Sequence, residues 1–335
     1  MGPDRGSLRS AGEAMVDVSA LDALVNRYVE CWKLQRPSYQ GIYEDNDFGC
    51  EGFQIFRNDF RIEEFSHSEA SQLAVLLTRS LRGQINRDHK LFWSWCSWLA
   101  LNLRDKAGLF QDSNWIDACR SLVNLVLAAQ RRLPVGPTFV DAQKRSLEHV
   151  NWHLLEVSMD KWLLSGPLAC AVLEGMLRRK SGGHIGNDGK VLKAFDVVEQ
   201  AGQTRKFDVG KRKRLNRIDD SLRLFEQVVI PARGRPCPML GPLMNEIQGL
   251  YPNTIDAYEL IDSWRNELVH GQQYWISRVP VILNVICLLI IDEIEPDIYD
   301  GKRNEIRQQL QWQSQSEALS GSRASWAIFP PNSGR

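Results

Sequence analysis

Absences narrow this sequence before any motif does. The seven cysteines (Cys31, Cys50, Cys96, Cys119, Cys170, Cys237 and Cys287) include no C-x-x-C pair. An odd, dispersed set fits reduced, buried thiols rather than a disulfide framework or a zinc site. Net charge is also lacking, because 41 basic residues offset 41 acidic ones. A chain that is basic throughout is thereby excluded, and any nucleic-acid contact has to come from a local patch. No apolar run is long enough for a bilayer; the best, Val279 to Ile291, is interrupted by Pro280 and Asn284 and reads as a buried core helix. The polar start, MGPDRGSLRSAGEA, has none of the apolar character of a secretory signal, so the expectation is a cytoplasmic protein with no membrane contact. There is no internal repeat and no His/Cys/Asp cluster at metal-ligand spacing; neither metal nor cofactor is expected.

What is present is helical. At 335 residues the chain is long enough for two domains, each with its own core. Residues 1–14 read as a disordered lead-in, and Val16 to Trp32 as a helix ended by Pro37. The aromatic stretch Ser38 to Phe65 has no clear period and reads as loop with short strands. Ser66-His67-Ser68-Glu69 is a capping box, and helices are expected over about 67–82, 88–104, 113–132 and 141–163. In Phe92-Trp93-Ser94-Trp95-Cys96-Ser97-Trp98-Leu99, the i, i+3, i+4 stripe of Trp95, Trp98 and Leu99 marks a buried helix rather than a base-stacking surface. Ser165-Gly166-Pro167 is taken as a domain boundary, giving an N-terminal helical domain of unknown role over 15–164. Beyond it, Leu168 to Leu177 is apolar nearly all round, as suits the middle of a bundle. Its one acid, Glu174, admits two readings: the i, i+4 partner of Arg178, or a half-buried carboxylate facing a cation such as Arg265.

The glycine-rich Ser181 to Lys190 lacks both the Gly-Lys-Ser/Thr ending of a P-loop and a preceding strand, and is expected to be a mobile loop with His184 solvated. Between Arg205 and Arg217 lie seven cations and one acid, Asp208. Lys211, Arg212, Lys213 and Arg214 at its centre form a candidate RNA-backbone contact; a solvated helix start fits the same residues. Ile218 to Val229 reads as helix, the proline-rich 231–238 as loop, 239–249 as a short helix, and 302–313 as a polar helix within a segment, 301–335, that ends in a flexible tail.

The most site-like stretch is Asp262-Ser263-Trp264-Arg265-Asn266-Glu267-Leu268-Val269-His270-Gly271, on a helix expected to begin near Thr254. At about 100° per residue, Ala257, Leu260, Ile261, Trp264 and Leu268 share one face. Asn266 and His270 fall roughly opposite, and Arg265 lies on the flank. A guanidinium, an amide and an imidazole are thus held clear of the core, although an imidazole near a helix C-terminus is also an ordinary surface feature.

Arg265-Asn266 and His270-Gly271 resemble the Arg-x4-6-His signature of the HEPN superfamily, all-helical domains that include metal-independent RNases. The resemblance covers about residues 165–300: the embedded Leu173-Glu174, a variable basic middle, the motif and an apolar closing helix. It implies an all-α protein whose N-terminal helical domain is followed by a HEPN-like antiparallel bundle. Carried onto this sequence, Arg265 holds the scissile phosphate, His270 exchanges a proton with the 2′-hydroxyl or the 5′-oxygen, Asn266 orients one of them, and Glu174 gives support. The implied partners are RNA, a second copy of the chain, and an antitoxin or regulatory protein, in keeping with a toxin or antiviral effector. The alternative is a non-catalytic HEPN-like module that binds RNA, a nucleotide or a protein.

Overall fold

The computed structural model describes residues 62–79, 81, 87–103, 108–129, 151–199, 202–210, 215, 217–252, 255–270 and 275–320. The expected lead-in, the helix at Val16 to Trp32, nearly all of the aromatic stretch after it, Lys211 to Arg214 and the tail beyond 320 lie outside these. The described part is mostly helical, and no helix in it is long and apolar enough to cross a membrane.

A 3-10 turn at Ile62–Glu64 leads into α1, His67–Arg79. The capping box closes as its residue types require: Ser66 donates to Glu69 Oε2 from its N–H (2.9 Å) and hydroxyl (3.0 Å), and the Glu69 N–H donates to Ser66 Oγ at 3.3 Å. Then come α2 (Arg87–Asn102), α3 (Ser113–Ala129) and α4 (Asn151–Arg179). Trp93, Trp95 and Leu99 of α2 are fully buried, and Trp95 stacks on the half-buried Trp98, so the core reading of the tryptophan cluster holds.

One expectation needs correcting here. Ser165-Gly166-Pro167 is no break: α4 runs straight through it, and one apolar cluster takes in α1, α2 and α3 together with the later helices. Pro167 costs a backbone hydrogen bond, but Ser165 and Gly166 are buried beside it and tertiary packing decides. Gly166 is required by a close approach, since a Cβ there would lie 2.9 Å from Leu268 Cδ2.

After α4 the chain departs from a purely helical plan. Strands β1 (Phe195–Val198) and β2 (Thr204–Phe207) form an antiparallel hairpin, with Phe195 opposite Phe207 and Val198 opposite Thr204. Gly202, at φ 75°, supplies the left-handed turn residue. Phe195 and Val197 point inward with Ile185, Val191, Leu215 and Leu224 to make a second, small core. The expected mobile loop belongs to that core. His184 is buried, its Nδ1 lies 3.2 Å from the Lys193 carbonyl, and its ring meets Phe195 edge-on. The apolar residues flanking the glycines outweigh their flexibility, so His184 is a packed histidine and not a solvated one.

Helix α5 (Ile218–Leu224) continues through a π-helical turn, Phe225–Val229, into α6, Ile230–Arg233. A loop over the whole of 231–238 was expected because proline breaks helices. Pro231 is nevertheless helical: the Ile230 N–H bonds back five residues to the Phe225 carbonyl, and this wider turn relieves the clash a proline ring makes with the residue four back. The loop starts at Gly234, which adopts φ 66°. Helices α7 (Leu240–Leu250), α8 (Ala257–Val269), α9 (Trp275–Glu293) and α10 (Pro296–Ser320) complete the order.

Central α9 packs on α4, α1 and α2, with Val281 to Ile291 buried. The fully buried Asn284 is held on both sides: it accepts from Trp93 Nε1 at 2.8 Å and donates to Thr78 Oγ1 at 2.9 Å. Removing one partner from such a network strands the others without water. Asn284→Ala is expected to cost about 2–4 kcal/mol, read as a lower urea midpoint at unchanged slope.

Candidate functional site

The motif helix α8 is set by a cap and a stripe. Asp256 is its N-cap, accepting from the Glu259 N–H at 2.9 Å, and also pairs with the buried Arg223 of α5. Ala257, Leu260, Ile261, Trp264 and Leu268 are all buried, so the expected core face is the observed one. Tyr251 meets Trp264 edge-on. At the other end Glu267 pairs with Arg278 of α9, whose guanidinium lies 6.0 Å from the Trp264 ring centre. With cap, stripe and end fixed, the rotation of α8 about its axis is determined.

That rotation turns Asn266 and His270 into solvent, while Arg265 keeps 30% of its side chain exposed. His270 terminates the helix at φ −93°, ψ 8°, its N–H donating to the Asn266 carbonyl at 3.1 Å. Arg265 Nη1 donates to Asn266 Oδ1 at 3.3 Å, which leaves the amide NH2 facing outward. Both readings of Glu174 are realised together. Arg178 forms the close ion pair with Glu174 Oε1, and Arg265 Nη2 stands 3.8 Å from Oε2. Three of the four candidate residues therefore lie within one contact network, with His270 one helical turn beyond Asn266.

Cys170 of α4 also faces this network. Burial pushes its thiol up to about 12; Arg265 pulls it down, and Glu174 and Asp262 raise it. It stays protonated and is no nucleophile. No group of three or more His, Cys, Asp or Glu placed to hold a metal occurs among the described residues. A cleft of about 550 Å³, lined by Leu103, Phe110, Arg233, Arg235, Glu293 and Ile298, includes none of the motif residues.

A second charged cluster beside the motif was not foreseen. Asp262, one turn before Asn266, accepts from the Ile218 N–H at 2.8 Å and lies 3.5 Å from Arg217 Nε. Arg217 also pairs with Asp219 at 2.8 Å, and Arg205 of β2 reaches Asp220 at 2.6 Å and Asp219 at 3.7 Å. The last cation of the basic stretch, Arg217, is thus anchored beside α8. Lys211 to Arg214, proposed for RNA contact, lie outside the described residues. The legible signal was alternation: Phe-Asp-Val-Val and Thr-Arg-Lys-Phe around a glycine-containing turn are a hairpin pattern.

Compared with family models, curated proteins and solved structures, the chain matches none. The functional reading therefore rests on its own residues.

Asp219 and Asp220 are adjacent, buried carboxylates. Burial pushes Asp220 up to about 6, Asp219 adds to the rise, and Arg205 and Arg217 oppose it. The folded chain thus binds this proton more tightly than the unfolded chain, whose aspartate sits near 3.8. The stability it contributes is complete below about pH 3.8 and lost as pH rises through about 6. Asp220→Asn is expected to remove this component. The wild-type-minus-variant difference in unfolding free energy should fall by about 2 kcal/mol between pH 4 and pH 7, measured by urea titration at each pH.

Proposed function

We propose that the chain is a metal-independent endoribonuclease of HEPN type that works as a homodimer. The supporting observation is the orientation of α8: its apolar stripe is committed to the core, and Arg265, Asn266 and His270 are left on one open face. A guanidinium fork suits two phosphate oxygens, and an imidazole, which can both take up and give a proton, suits proton transfer. A single copy leaves the face without a second wall. A second copy brought motif to motif supplies that wall and a second imidazole.

In this reading the RNA 2′-hydroxyl gives its proton to one His270 as its oxygen attacks the adjacent phosphorus. Arg265 offsets charge on the pentacoordinate phosphate. The bond to the 5′-oxygen breaks, and the second copy's imidazole protonates the leaving alkoxide. The products are a 2′,3′-cyclic phosphate and a 5′-hydroxyl. Asn266, already bonded to Arg265, holds the guanidinium in plane. Lys211, Arg212, Lys213 and Arg214 would add cations for the RNA backbone. A toxin or antiviral effector, restrained by an antitoxin or another regulatory protein, is the biological role this chemistry suits.

One observation favours a second reading, a non-catalytic module that binds RNA, a nucleotide or a protein. Among the described residues no hydrogen bond to the His270 ring is found, so none of these residues orients the imidazole. The two readings part in one assay. With RNA in EDTA, the nuclease reading expects cyclic-phosphate ends and a kcat reduced about 10²–10⁴-fold in His270→Ala, and by a comparable factor in Arg265→Ala. Cleavage that persists unchanged in His270→Ala sinks the reading, and binding without cleavage by a monomer supports the module.

A further inference from the structure

Arg178 has no role in the chemistry above, yet it touches the group nearest Arg265. Glu174 is 17% exposed and lies between two guanidiniums. One carboxylate oxygen takes the close contact with Arg178, one turn along the same helix; the other remains 3.8 Å from Arg265, beyond hydrogen-bonding distance. Arg178 is itself held from behind, because its Nη1 donates to the Asn187 carbonyl at 3.1 Å. Asn187 belongs to the glycine-flanked loop after α4, which the buried His184 and the Ile185–Val191 bridge fix in place. The chain Asn187, Arg178, Glu174 therefore draws the carboxylate toward the loop and away from the motif.

The alternative arrangement is close at hand. A buried carboxylate without a partner is costly, so a Glu174 released by Arg178 has Arg265 as its nearest replacement. A guanidinium that closes a two-pronged pair with a carboxylate has the same fork occupied that a phosphate needs. Asp262, three residues earlier on the same helix, also acts on Arg265, but it is already engaged by the Ile218 N–H and Arg217.

We propose that Arg178 is a positioning residue which, by sequestering Glu174, keeps the Arg265 guanidinium available to a phosphate of the bound RNA. The assignment rests on the nuclease reading for its ligand but not for its geometry. It makes the loop at Asn187 a place where a bound protein could govern the motif, because displacing the Asn187 carbonyl loosens Arg178 and lets Glu174 close on Arg265.

The test uses the full-length protein, Arg178→Ala and the double variant Arg178→Ala/Glu174→Gln, with two independent readouts. The first needs no RNA: NMR of the arginine side chains reports how freely the Arg265 guanidinium rotates. Slowed rotation in Arg178→Ala, relieved in the double variant, is the expected result; rotation that is the same in all three proteins overturns the proposal. The second is cleavage kinetics. Arg178→Ala is expected to raise KM about tenfold, the equivalent of one charge-assisted hydrogen bond, with a smaller change in kcat, and the double variant to recover most of that loss. A double variant as impaired as the single one means that Arg178 only supports the fold, and the proposal fails. Absence of cleavage by the wild type is a separate outcome: it removes the nuclease reading, while the rotation measurement still decides the positioning role.

Discussion

Everything at the candidate site depends on how α8 is seated against α4. Trp264 and Leu268 are large side chains on a helix whose opposite face is polar, and burying each is worth about 1.5–3 kcal/mol. Both are buried in the core, and at Gly166 a Cβ would crowd the end of the Leu268 side chain at 2.9 Å. A helix pinned by its apolar stripe cannot rotate without exposing it, so the direction of Arg265, Asn266 and His270 follows mainly from hydrophobic burial, with the Asp256 cap and the Glu267–Arg278 pair fixing the ends. The candidate residues need no side-chain network of their own to face outward. They face outward because their neighbours on α8 face inward.

Charge then refines what packing has oriented. The motif helix is bordered by carboxylates that each have a cation of their own: Glu174 with Arg178, Asp262 with Arg217, Asp256 with Arg223, Glu267 with Arg278. Arg265 is the basic residue of α8 and lies at the edge of two of these pairs without being captured by either. Competing arginines take the nearest oxygens, and Arg265 keeps a 3.8 Å contact with Glu174 and a hydrogen bond to Asn266. The hairpin takes part as well, since Arg205 ties β2 to Asp219 and Asp220 at the start of α5, the helix that packs against α8.

Where one period dominated, the sequence was a sound guide. The stripe of α8, the buried run of α9, the Ser66–Glu69 box and the core tryptophans of α2 all appear as read, because each is a local pattern whose burial can proceed in only one way. Three features escaped because neither periodicity nor residue propensity decides them. Pro167 sits inside α4 since the surrounding core holds the helix together, and Pro231 is helical because the preceding turn is wider by one residue. The glycines near His184 suggested mobility, yet Phe195 and Val191 lie far enough along the chain that the small core they form with Ile185 is visible only once the hairpin folds. At the site, the i, i+4 spacing identified the Glu174–Arg178 pair, but the approach of the same carboxylate to Arg265, across helices, could only be raised as an alternative. The Asp262–Arg217 contact had no local signature at all.

The central claim is that the open face of α8 is one half of a site and that a second copy of the chain supplies the other half. The most direct measurement is site-specific photo-cross-linking with a benzoylphenylalanine at position 266, in the full chain, at concentrations where RNA cleavage by the unmodified protein is assayed. The account predicts a covalent dimer whose cross-linked peptide joins residue 266 of one copy to the 265–270 segment of another. A protein that cleaves RNA while yielding only intrachain products, or cross-links remote from that segment, contradicts it.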